Sequence, residues 1–315
     1  MANASTTESL EKYLDPQVIA RISRLDLRTR LIVEGFITGL HRSPYQGLSV
    51  EFAQHREYVP GDDIKHIDWK VFSRSDRYYI KQYEEETNLR CTFVVDASES
   101  MKYRGAIANF SKYDYAASVA AALALLLTKQ QDAVGLSIFD EDLRVTLAPS
   151  SSPSQIKSIT HHLEQASGTL TAKTDLKKIC AKLAENLGKR GMVCLLSDLF
   201  VDEEGLLKGL QQLVHRGHDV MVIHIMDDDE LRFPFEGNTR FRGLEASGEL
   251  IGEPRALRDG YLESVNRFLT DIKRRCVSNR ISYKLASTRD LLGAVLAEFL
   301  NARIEAGRKG ASKHR

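Results

Sequence analysis

The chain has 315 residues, 43% of them hydrophobic and 28% charged, and its 44 basic and 43 acidic side chains leave a formal net charge of +1. That length accommodates one large domain and a smaller one, with the composition of an ordinary globular protein. Near-neutrality gives no global field for nucleic acid, the longest apolar run (116–127) is too short for a bilayer span, and the start lacks the basic-then-apolar pattern of a secretory signal.

The first 88 residues predict a helix and a small α+β region. Asp15 and Pro16 read as an N-cap and a first-turn proline, followed by Val18, Ile19, Ile22 and Leu25 at helical spacing. Arginines 21, 24, 28 and 30 read as a solvated helix face. Short β-like pieces follow around 36–41, 48–53 and 78–84, broken by the turn signals SPYQG and VPGDD. Trp69, the sole tryptophan, is expected to anchor this region on the neighbouring sheet. Arg42, Arg56 and Arg74 can pair with Asp62, Asp63 or Asp68. His41, His55 and His66 fit no helical or hairpin ligand spacing and read as hydrogen-bonded side chains.

From residue 89 the rhythm becomes regular. Strand-like apolar runs occur at 89–95, 133–139, 193–197, 220–226 and 281–286. Helical patterns lie at 113–130, 175–187, 203–215, 259–279 and from about 290. Uniformly apolar strands alternating with helices predict a doubly wound α/β fold, with a mostly parallel sheet covered on both faces. DEDLRVTLAP follows the second run too closely for a crossover and predicts one antiparallel edge strand. A hairpin-like excursion spans 240–254, and MDDDEL (226–231) reads as a solvated acidic loop in preference to a second cation site. Cys91, Cys180, Cys194 and Cys276 form no C-x-x-C pair and read as small buried hydrophobes in a reducing, cytoplasmic compartment. The basic tail, residues 305–315, is expected to be disordered.

In such a sheet the ligand site lies beyond the carboxyl ends of the strands, where strand order reverses. There FVVDASESMKY places Asp96, Ser98 and Ser100 after the first long strand, and LLSDLF places Asp198 after the third. Thr174, in TAKTDLKK, lies just ahead of a helix, with Thr169 and Thr171 as alternatives. Two readings stand. The residues cap a helix and end a strand, or they form an all-oxygen ligand set suited to Mg²⁺, Mn²⁺ or Ca²⁺ and unsuited to zinc. With only two charged ligands, a bound ion keeps an exchangeable position for an outside carboxylate or phosphate.

The order Asp96-x-Ser98-x-Ser100, Thr174, Asp198 resembles the metal-ion-dependent adhesion site of von Willebrand factor A domains. That resemblance implies direct coordination by Ser98, Ser100 and often Thr174, with Asp96 and Asp198 acting partly through water. Glu99 and the Ala-Lys before Thr174 depart from the small residues and glycine common there. The segment 39–86, and 41–74 in particular, resembles the signature of a bacterial family known as domain of unknown function 58, whose members carry such a domain directly afterwards. The family's association with MoxR-type AAA+ ATPases implies a partner. Expected domains are thus 1–88, a von Willebrand A-like domain at 89–304, and the tail. The expected function is a non-enzymatic, metal-dependent protein-interaction module serving protein maturation or chaperone-like work. The alternative is a metal-dependent hydrolase with Glu99 or a histidine as base.

Overall fold

A computed structural model describes residues 19–40, 55–57, 78–81, 89–166, 176–188, 190–237, 239–242 and 249–311. The chain divides into two compact units, residues 39–88 and the remainder. In the smaller unit, β1 (His55–Glu57) and β2 (Tyr79–Lys81) pair antiparallel. Trp69, His41, His66, the paired Arg and Asp candidates other than Arg56, and the 48–53 piece lie outside the described residues.

The larger unit is built on a six-stranded sheet. Its strands are β3 (Arg90–Asp96), β4 (Ala133–Phe139), β5 (Leu143–Ser150), β6 (Met192–Ser197), β7 (Asp219–Met226) and β10 (Ser282–Ser287), in the order β10-β7-β6-β3-β4-β5. Every pair is parallel except β4 with β5, the edge strand expected from DEDLRVTLAP. This is the predicted mostly parallel sheet with helices on both faces and one antiparallel edge strand. The central strands are buried almost throughout, as strands covered on both faces must be. From β3 the chain crosses to β4 and β5, then returns to β6 on the other side of β3, so strand order reverses between β3 and β6.

Helices cover both faces. α4 (Leu176–Asn186), α5 (Glu203–His215) and α7 (Pro254–Ser278) bury Leu183, Leu206, Leu210, Ile272 and Cys276 against Val94, Val193, Leu195 and Val222. Residues of opposite parity on β3 face the other layer, where Phe93 meets Phe299 of α8 (Leu292–Ala311). That layer also holds α2 (Lys112–Lys129), capped by Ser111 and buried on nearly every side, and α3 (Ser154–Ala166). The short α6 (Asp228–Arg232) follows β7, and β8 (Thr239–Arg242) pairs antiparallel with β9 (Glu249–Gly252) as the expected hairpin. All four cysteines are free and buried.

Several expectations are corrected. Residues 36–40 belong to α1 (Leu25–Leu40), a helix and not a β-like piece, because Ile32, Val33 and Phe36 share one buried helical face. A turn at Arg21 separates this helix from Ile19. Of the arginine face, Arg28 is buried, reaching Ser118 Oγ at 3.1 Å and the Ile22 carbonyl at 2.8 Å. Residues 25–38 of α1 group with 89–315 and not with 39–88. α3 was not anticipated, since only Ile159, Thr160 and Leu163 bury a thin stripe of it. α8 continues to Ala311, so residues 305–311 of the tail are helical.

Candidate functional site

Four of the five predicted ligand residues converge at the carboxyl ends of β3 and β6. These strands are parallel neighbours with Val95 opposite Leu196, so the next residues, Asp96 and Ser197, emerge side by side. Asp96 and Asp198 are each 1% exposed, Ser98 2% and Ser100 9%. The Ser98 amide donates to Asp96 Oδ1 at 2.9 Å, and the Ser197 hydroxyl donates to Oδ2 at 2.5 Å. The two serine hydroxyls that would face an ion, on Ser98 and Ser100, lie 3.2 Å apart. A 3₁₀ turn over Ser100–Lys102 holds Ser100 in place, closed by Met101 and Tyr103 amides donating to the Ser98 and Ser100 carbonyls. Glu99 is half-buried on this turn, and its side chain makes no cap there. Thr174, like Thr169 and Thr171, lies outside the described residues.

The electrostatics of the pair follow from burial. Asp96 is pushed up to about 7, first by desolvation and then by the charge of Asp198, against the lowering effect of Ser197 and Ser98. Two buried carboxylates that repel one another are the arrangement a dication relieves. The donors are oxygen alone, two carboxylates and two hydroxyls, and in kind they fit Mg²⁺ or Mn²⁺. Among the described residues no group of three or more His, Cys, Asp or Glu is arranged to hold a metal. An ion here would therefore rest on the hydroxyls and on water as much as on charge.

Asp198 is more tightly held than its sequence context indicates. Its Oδ1 accepts from the Phe200 amide at 3.2 Å, and its Oδ2 from the Lys112 ammonium at 2.8 Å. His224 Nε2–H donates to its carbonyl oxygen at 2.8 Å, and Tyr283 O–H donates to Nδ1 at the same distance. A carbonyl can only accept, so Nε2 carries the proton, and burial of the ring keeps it the neutral Nε2–H tautomer. Lys112 is fully buried and also donates to Glu230 Oε1 at 2.7 Å. Its ammonium stays charged, because Asp198 and Glu230 outweigh the desolvation that opposes them.

The acidic segment after β7 overturns its expected character. Asp227, Asp228 and Asp229 are buried, not solvated. Asp227 Oδ2 accepts from the Gly105 amide at 3.2 Å and Thr288 Oγ1 at 3.0 Å. Asp229 Oδ2 accepts from Tyr103 O–H and the Ala106 amide, both at 3.2 Å. Asp227 and Glu230 form a reciprocal capping box on α6, with the Asp227 amide donating to Glu230 Oε2 at 2.8 Å. The Gly105 and Ala106 amides and the Tyr103 hydroxyl thus tie the loop that carries Ser100 to this segment. Lys112, Ser197, His224 and Glu230 escaped the sequence reading. Only Glu230 carried a local signal, the D-x-x-E capping spacing.

A family model described as "Protein of unknown function DUF58" matches residues 54–268. Uncharacterized proteins of Mycobacterium tuberculosis (Rv1480) and Mycobacterium bovis (Mb1516) are each 26% identical over 267 residues, 82% of this chain and 81% of theirs. Among solved structures, the conserved hypothetical protein BatB from Bacteroides thetaiotaomicron is similar at 15% identity and a TM-score of 0.49, over 70% of this chain and 99% of that one. The SpRpn10 VWA domain is similar at 13% identity and a TM-score of 0.38, over 67% and 94%. No helix among the described residues is long and apolar enough to cross a membrane.

Proposed function

Because this chain belongs to the DUF58 family, whose name assigns no activity, we propose a function from its site: a non-enzymatic protein-interaction module that engages its partner through a divalent metal. Asp96, Ser98, Ser100 and Asp198, with Thr174, would hold Mg²⁺ or Mn²⁺. The bound ion would supply an electrophilic position for a carboxylate of the partner. The observation that carries this reading is the pairing of two buried carboxylates with two adjacent hydroxyls where strand order reverses. The chain's own residues do the positioning: Ser197 and the Ser98 amide orient Asp96, while the Phe200 amide and His224 fix Asp198. Phe200 is 41% exposed beside them and offers an apolar contact at the rim. The family resemblance of residues 41–74 supports a MoxR-type AAA+ ATPase, or a client of it, as the partner.

One experiment tests both halves of the proposal. Mg²⁺ or Mn²⁺ should raise the Tm of the wild type and leave Asp96→Ala unmoved, since a ligand stabilises only the state that binds it. The immobilised wild type should capture a MoxR-type AAA+ ATPase in Mg²⁺ and release it in EDTA, and Asp198→Ala should capture none. Capture indifferent to EDTA and to Asp198→Ala would remove the metal as the docking point.

A further inference from the structure

Lys112 occupies the first position of α2, and no part of it reaches solvent. Its ammonium lies between Asp198 Oδ2, 2.8 Å away, and Glu230 Oε1, 2.7 Å away. The Phe200 ring centroid is 4.8 Å from the nitrogen and that of Tyr103 is 5.9 Å away. The fold has thus fixed a permanent positive charge on one of the two carboxylates that would hold a metal.

We propose that Lys112 is an internal counter-ion that competes with the divalent metal for Asp198 and keeps the site's intrinsic affinity low. The inference rests on the metal site proposed above and concerns how that site is regulated. Lys112 is not needed for solubility or for a surface pair, because its ammonium and Asp198 are buried and Glu230 is nearly so. A buried ammonium is retained only where carboxylates compensate its desolvation, and here one compensating carboxylate belongs to the ligand set. Without Lys112, the carboxylates of Asp198 and Glu230 would face a cation with no internal counter-charge. With it, one of their charges is already neutralised from inside. A metal arriving alone meets a partly satisfied Asp198. A metal arriving with a partner's carboxylate recovers the missing anionic ligand. Metal and partner should therefore bind with positive coupling, each raising the other's affinity by the same factor. Glu230 gives the ammonium a place to remain when Asp198 turns toward the ion. The same contact links the site to the α6 capping box.

Calorimetric titration of Mg²⁺ into the full chain tests this. The wild type should bind weakly, Lys112→Arg should stay weak because it keeps the charge, and Lys112→Met should bind at least tenfold more tightly. Lys112→Met leaves the Asp198 and Glu230 carboxylates without their counter-ion, so metal takes over part of that role in folding. Folding of this variant in Mg²⁺ but not in EDTA, followed by circular dichroism, would itself support competition. Lys112→Met/Glu230→Gln removes the surplus charge while still freeing Asp198, and should also bind at least tenfold more tightly than wild type. Wild-type binding with equal or weaker affinity in a folded Lys112→Met or double variant would overturn the inference and leave the metal site standing. Failure of both variants to fold even in Mg²⁺ would likewise overturn it. Absence of Mg²⁺ binding by every protein, wild type included, would overturn the metal site and the inference together.

Discussion

His224 sits in the middle of β7 with no exposed surface, and both ring nitrogens are committed. Burial pushes its pKa down to about 4, against the raising effect of the Asp198 charge. The unfolded chain takes up a proton near 6.5 that the folded chain refuses until about 4. The stability contributed by the neutral ring is therefore complete above 6.5 and lost as pH falls through this window, by about 3 kcal/mol in all. Asp96 acts in the opposite direction. Its raised pKa makes the folded state hold a proton that the unfolded chain has released, so its contribution is lost as pH rises from 3.8 to about 7. The two slopes overlap and mask one another in the wild type. Urea unfolding in EDTA, compared between wild type and His224→Gln from pH 4 to 7.5, cancels the Asp96 part. The stability advantage of the wild type should grow with pH by about 3 kcal/mol. A pH-independent difference would mean that the ring is not held neutral.

At the scale of elements, the loop between β3 and α2 is fixed by carboxylates that reach it from α6. Gly105 is required there by space: a Cβ would lie 2.3 Å from Asp227 Oδ1 and 2.6 Å from Asp229 Oδ2. Both carboxylates are buried and hydrogen-bonded, so neither can swing into water without leaving donors unpaired. Gly105→Ala should cost about 2 kcal/mol and lower the Tm by several degrees. An unchanged melting curve would show that the loop is free to move. This contact also marks the limit of what the sequence discloses. The strands were legible because burial on both faces leaves a continuous apolar run, and α5 because Leu206, Leu210 and Leu213 repeat at helical spacing. Asp96, Ser98, Ser100 and Asp198 were legible because they end such strands. The partners of Lys112 lie 86 and 118 residues away in the chain, and Gly105 is 122 residues from Asp227. No local pattern encodes these distances, so three consecutive aspartates resembled a solvated loop. Residues 36–40 misled for a different reason: an aromatic and β-branched run imitates a strand unless its buried partners at 32 and 33 are counted with it.

The largest departure from the linear order of the chain, among the described residues, is the course of α1. α1 precedes the unit at 39–88, yet it packs with residues that follow it. The Leu25 amide donates to Glu164 Oε1 of α3 at 2.7 Å, Arg28 donates to Ser118 of α2, and the Arg28 guanidinium lies 5.1 Å from the Phe110 ring centroid. Ile32 and Val33 are wholly buried and Phe36 nearly so. The larger unit is therefore completed by a helix synthesised before residues 39–88, and the sheet and α1 should unfold together. Ile32→Ala removes buried apolar volume from that helix and should cost about 2–4 kcal/mol, the same range as Leu195→Ala in the middle of β6. In urea followed by circular dichroism, both variants should shift the same major transition to lower denaturant without changing its slope. If α1 belonged with 39–88 as a separate N-terminal domain, Ile32→Ala would leave the transition that Leu195→Ala moves where it is in the wild type, because domains with independent cores lose them independently.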